Sequence, residues 1–111
     1  MTDYEKEILS AHEGFTKAAK DRARAEANYK AVDSQTKTKL AVAYGNTESS
    51  LPAKTREMQA LSDPMYVEWQ KGVAQAREEY LKYKAQEEIG YQRVEVLRTL
   101  ISLEKKRINI L

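Results

Sequence analysis

Along the second half of this chain, residues separated alternately by three and four positions form one unbroken series. It runs Tyr66, Trp69, Val73, Ala76, Tyr80, Tyr83, Glu87, Gly90, Val94, Leu97, Ile101, Glu104, Ile108 and Leu111. That spacing gathers side chains on one side of an α-helix and makes a seam against a second helix. The first half repeats the pattern through Tyr4, Ile8, Ala11, Phe15, Ala18, Arg22, Ala25, Tyr29, Val32, Thr36, Lys39 and Ala43. Two seams of similar length predict an all-α fold, a long antiparallel hairpin of coiled-coil type.

Local signals set the expected boundaries. Thr2 followed by Glu5 fits a reciprocal capping box, with Asp3 in the first turn where an acid is favoured. Gly45-Asn46 is the expected stop, since both residues tolerate the left-handed conformation that ends many helices. Helix 1 is therefore predicted over 3–44. Residues 45–63 form the connector, in which Ser50 and Pro52 start a short helix carrying Met58 and Leu61. Ser62-Asp63-Pro64 then offers a capping carboxylate followed by proline in the first turn, predicting a helix over 64–109. At a rise of ~1.5 Å per residue that helix is about 70 Å long. The whole chain of 111 residues reads as a single hairpin domain, 1–111.

Composition agrees with this. Charged residues make up 32% and the mean hydropathy is −0.73, values that suit a solvated helical protein. With 4 Gly and 2 Pro there are few turns for a β-rich fold. The absence of Cys removes disulfides and thiolate chemistry and fits a reducing cytoplasm. The acidic start has no apolar segment after it, so no signal peptide is expected. No stretch approaches the ~18 apolar residues of a membrane span.

Two registers compete. If facing positions add to about 105, Phe15 meets Gly90, Ala25 meets Tyr80, Tyr29 meets Ala76 and Val32 meets Val73, so bulky residues face small ones. Arg22 then lies beside Tyr83 and Glu87. A slip of one heptad, to about 112, buries Tyr4 on Ile108 but sets Tyr29 against Tyr83. Folding back also brings the acidic segment of Asp3, Glu5, Glu7 and Glu13 alongside the basic end of the chain.

Little in the chain could carry chemistry. His12 is the single histidine and lies off the seam, where a surface position is expected. No Glu-x-x-His pair supports a di-metal bundle, and no phosphate-binding loop or nucleophile arrangement is present. Glu87 points into the seam, where Arg22 is a ready partner. No catalytic residue, metal or cofactor is expected. The aromatics lie mostly in the seams, leaving Tyr44 and Tyr91 as candidates for stacking on bases.

One feature exceeds what a hairpin needs. Ile89, Val96, Leu103 and Ile110 recur every seven residues, joined by Leu100, and widen the apolar seam by roughly a quarter-turn. A single partner helix is too narrow to cover both faces. These five residues are the expected partner or oligomer interface, and assembly into a helical bundle follows. Arg93, Arg98, Lys105, Lys106 and Arg107 form a basic end that could meet nucleic acid, as could Lys37, Lys39, Lys54 and Arg56 near the turn. The net charge of +2 is small for a committed nucleic-acid binder, so weak binding at most is expected.

Lys54-Thr-Arg-Glu, Ala60-Leu-Ser-Asp-Pro with Tyr66 and Trp69, Ala76-x-x-Glu-Glu-Tyr80 and Arg93-Val-Glu-Val-Leu-Arg98-Thr99 together span about half the chain. This segment resembles small helical early-region proteins of tailed phages and prophages, often encoded beside recombination genes. The resemblance carries no functional residue over. It implies a bacterial host cytoplasm and a role in phage DNA metabolism or interference with a host machine. Two functions are therefore expected in order of preference. The first is a non-enzymatic adaptor or inhibitor that binds itself and another protein of recombination or host defence machinery, without a membrane role. The second is a DNA-binding recombination accessory.

Overall fold

The computed structural model describes residues 2–110, and the side chains of residues 2–109. The helices are α1 (Asp3–Asp33), α2 (Thr36–Gly45), α3 (Ala53–Leu61) and α4 (Pro64–Ile110), with no strand among the described residues. The architecture is the expected antiparallel helical hairpin with a short helix in its connector.

The helix starts follow their local chemistry. Glu5 N–H donates to Thr2 Oγ1 (3.1 Å), and Thr2 N–H donates to the Glu5 carboxylate (3.3 Å), closing the capping box. Asp63 Oδ1 accepts from Met65 N–H (2.9 Å) and Tyr66 N–H (3.1 Å), with Pro64 as the first residue of α4.

The expected single helix over 3–44 is divided at Ser34-Gln35. The Ser34 hydroxyl donates to Ala31 C=O (2.8 Å), and Gln35 N–H returns three residues to Val32 C=O (3.1 Å). This is one 3₁₀ step, taken where polar side chains offer the backbone an alternative partner. Gln35 keeps right-handed helical angles (φ −90, ψ −4), so α2 resumes at once.

The stop at Gly45 falls where expected, but by another mechanism. No described residue has positive φ, and Asn46 caps α2 in the right-handed region (φ −83, ψ −5). Asn46 N–H serves the Val42 and Ala43 carbonyls, and side chains join the backbone at the Tyr44 carbonyl. Tyr44 C=O accepts from Thr47 N–H (3.1 Å), Thr47 Oγ1 (2.6 Å) and Arg56 Nη2 (3.3 Å). Such partners do for a helix end what a left-handed glycine does elsewhere.

The chain forms two compact units, Met1–Arg24 with Leu81–Leu111, and Ala25–Tyr80. In the terminal unit, Ala11, Val94 and Leu97 are buried, with Ile8 and Phe15 packed on them. Phe15 lies directly against Gly90: a methyl at Gly90 would be 3.3 Å from Phe15 Cα. Arg22 Nε donates to Glu87 Oε2 at 2.5 Å, pairing the charged members of the two seams. These contacts select the register near 105 over its competitor. Tyr4 and Ile108, which the slipped register would bury, are both exposed.

In the connector unit, Ala43, Ala60 and Tyr66 form a core on which Leu40 and Tyr44 pack. Val73 and Ala76 are buried as the seam requires. The Tyr29 ring packs on Tyr80 (centroids 5.9 Å apart, planes at 58°), a close pairing the expected match of Tyr29 with Ala76 did not include. Lys39 is exposed on its seam, and its ammonium sits 4.9 Å from the centre of the Trp69 ring.

Candidate interaction surface

In the terminal unit α4 presents two apolar faces. Its seam face carries buried Val94 and Leu97, covered by α1. A quarter-turn away the second stripe stands open: Ile89 is 65% exposed, Val96 59%, Leu100 38% and Leu103 56%. These are the residues that side-chain spacing singled out. The Ile110 side chain, the fifth member, lies outside the described residues. Leu100 is the least exposed, consistent with its place between Val96 and Leu103 on a 4-3 step.

Charge is distributed unevenly along this stripe. Glu88 and Glu95 stand on its outer flank toward the start, while Lys106 occupies that flank near the end. Arg93 and Arg107 interrupt the stripe itself, so it reads Ile89, Arg93, Val96, Leu100, Leu103 and Arg107. Arg98 pairs with Glu95 on its own helix (3.1 Å). Among the described residues, Arg93, Lys105, Lys106 and Arg107 make no salt bridge, and the acidic residues of α1 do not reach them. The acidic start does lie beside the basic half, since Ile8 and Ala11 pack on Val94 and Leu97. Its long side chains remain in water, as is usual for exposed charges.

The other candidate residues are structurally occupied. Glu87 is held by Arg22, and His12 is half-buried rather than on the surface. Tyr91 packs its ring on Phe15 (6.0 Å between centroids). Tyr44 lies under the Arg56 guanidinium, 4.2 Å from the ring centre. Arg56 also donates from Nε to Thr47 Oγ1 (2.8 Å). It thus clamps the corner between α2 and α3 and is committed to structure. Sequence reasoning placed Arg56 only as a surface cation, because its partners are nine and twelve residues away and no local pattern announces them.

A second apolar surface lies in the connector unit. α3 turns Ala60 inward and leaves Met58 and Leu61 exposed, with Met65 and Val42 exposed nearby in the same unit. A groove between α2 and α3 is lined by Leu40, Ala41, Tyr44, Ala60 and Leu61, with Lys37 and Glu57 at its rim. The spacing of Met58 and Leu61, one turn apart on a short helix, was its only trace in the sequence.

No group of three or more metal-ligating side chains occurs among the described residues. No described helix is long and apolar enough to cross a membrane. No protein-family model matches the chain, and comparisons with curated proteins and with solved structures gave no match.

Proposed function

We propose that this protein is a non-enzymatic helical adaptor or inhibitor, acting as a bundle that docks on another protein in a bacterial cytoplasm. Its setting is phage DNA metabolism or interference with a host machine, as the resemblance of residues 53–107 implies. The observation supporting this reading is the open stripe of Ile89, Val96, Leu100 and Leu103. Water-exposed aliphatics in a continuous row are costly unless a partner covers them. Completing their burial is worth roughly 1 kcal/mol per side chain, a contribution that offsets part of the cost of association.

The discriminating experiment is affinity capture from infected or lysogenic cells, with and without nuclease, using the parent chain and Leu103→Glu. A specific protein that persists after nuclease supports the reading. Capture that vanishes on nuclease treatment would sink it in favour of DNA binding.

A further inference from the structure

We infer that the occupant of the α4 stripe is a second copy of this chain, bound antiparallel so that two terminal units form a four-helix bundle. The inference rests on reading the stripe as a protein-binding surface and adds the identity and orientation of what covers it.

The argument is electrostatic and geometric. The stripe advances in alternating steps of four and three through Ile89, Arg93, Val96, Leu100, Leu103 and Arg107, the spacing of a seam that takes one further helix. Four of the six are exposed aliphatics. The remaining two are arginines, whose stems lie along apolar surface while the guanidinium reaches its edge. On the outer flank, Glu88 and Glu95 precede Lys106.

A parallel copy about a two-fold axis sets every residue against its own equivalent. Arg93 would then face Arg93 and Arg107 face Arg107, so both charged positions of the stripe meet their like. An antiparallel copy reverses the order. With Val96 opposite Leu100 of the second copy, Arg93 crosses Leu103 and Ile89 crosses the stem of Arg107. Glu88 then falls beside Lys106 and Arg107 of the second copy, twice over by symmetry. Val96 meets Leu100, the arginine stems lie on the other aliphatics, and Glu88 meets bases in one alignment. A foreign helix could satisfy part of this pattern, but self-complementarity under reversal is a property that only a copy must have.

Because the chain contains no cysteine, orientation can be read by cross-linking. Ile89→Cys and Arg107→Cys are prepared separately and treated with a short bismaleimide, alone and mixed in equal amounts. The expected result is a covalent dimer in the mixture and almost none from either variant alone. Light scattering should report a dimer for the parent. Leu100→Glu, opposite Val96 of the second copy, should weaken dimerisation about 100-fold or more, since it sets a carboxylate in an apolar contact. Helicity should be unchanged, because Leu100 is exposed within its own chain.

Efficient cross-linking of Ile89→Cys with itself would overturn the antiparallel arrangement. A monomeric parent would overturn self-association altogether. If that monomer still captures a protein and Leu103→Glu abolishes the capture, the stripe serves a foreign partner and only the present inference falls. If the monomer captures nothing resistant to nuclease, the proposed function falls with it.

Discussion

Replacing two glycines by alanine, one in open space and one at the closest approach of two helices, tests the packing of the terminal unit directly. Gly14 and Gly90 both lie inside long helices, so alanine brings each the same intrinsic gain of about 1 kcal/mol from reduced backbone freedom in the unfolded chain. At Gly14 a new methyl meets nothing within 4 Å. That gain should appear in full. At Gly90 the methyl carbon would stand 3.3 Å from Phe15 Cα, 3.5 Å from its Cβ and 3.6 Å from Cδ2. Carbon atoms prefer separations of about 3.5–4.0 Å. The nearest obstacle is a backbone atom, which no rotamer change can move.

Relief therefore requires α1 and α4 to part by a few tenths of an ångström. That loosens Ala11 against Val94 and Leu97, one turn away on α1. Overpacking of this kind costs about 1–3 kcal/mol, which cancels or reverses the propensity gain. Gly14→Ala should raise the melting temperature by about 4–8 °C, the usual scale for 1 kcal/mol in a chain near this size. Gly90→Ala should leave it unchanged or lower it, and Gly90→Leu should lower it sharply. Thermal and urea unfolding followed by far-UV circular dichroism measure all three. If Gly90→Ala stabilises as much as Gly14→Ala, Phe15 does not rest on Gly90 and the register near 105 is wrong.

Four further outcomes are expected. Arg22→Leu or Glu87→Leu alone should cost about 1–2 kcal/mol by leaving a half-buried charge without its cross-helix partner, while the double change should recover most of it; urea unfolding of the full cycle decides. Arg56→Lys should fail to replace arginine at the α2–α3 corner, because one ammonium cannot serve Thr47, Tyr44 C=O and the Tyr44 ring together; faster hydrogen exchange in residues 44–61 is the readout. Thr36 Oγ1 is buried with no hydrogen-bond partner, so Thr36→Val should stabilise by about 1 kcal/mol in thermal unfolding rather than destabilise. Binding to single-stranded DNA should be weak and fade by physiological salt, with Lys105, Lys106 and Arg107 neutralised at little cost to biological activity; sub-micromolar anisotropy titrations at ~150 mM salt would contradict this.

Side-chain periodicity carried most of the fold, and the reason is visible in the exposures. Along α4, Tyr66, Val73, Ala76, Val94 and Leu97 are buried, and Trp69, Tyr80, Tyr83, Glu87 and Ile101 are half-buried, following the 3-4 series. The stripe was legible by the same rule, since an apolar residue outside the seam recurs at the same interval. The step at Ser34-Gln35 was not legible in this way. The seam passes through Val32, Thr36 and Ala43 without losing phase, and one 3₁₀ bond hardly alters which face a side chain takes. The polar run Asp33-Ser34-Gln35-Thr36 was the available signal. Arg56 and the Tyr29–Tyr80 contact depend on tertiary neighbours, which spacing along one helix cannot report. The seam also weakens at its ends, where Tyr4 and Ile108 are exposed, because a terminal turn has a neighbour on one side only.

What the core is made of bears on how this fold is held together. The buried residues include Ala11, Ala25, Ala43, Ala60 and Ala76 beside Tyr66, Val73, Val94 and Leu97, and no large side chain is fully buried among the described residues. Small residues let helices approach closely, as at Phe15 and Gly90, but each buries little apolar surface. The larger aliphatics Ile89, Val96, Leu100 and Leu103 are kept outside that core. A small helical domain gains much of its stability from such side chains when they are covered. Were a partner to cover them, part of that stabilisation would be realised only on association, and folding would be linked to assembly. Ile89, Val96, Leu100 and Leu103 are the aliphatics whose burial a further helix would complete.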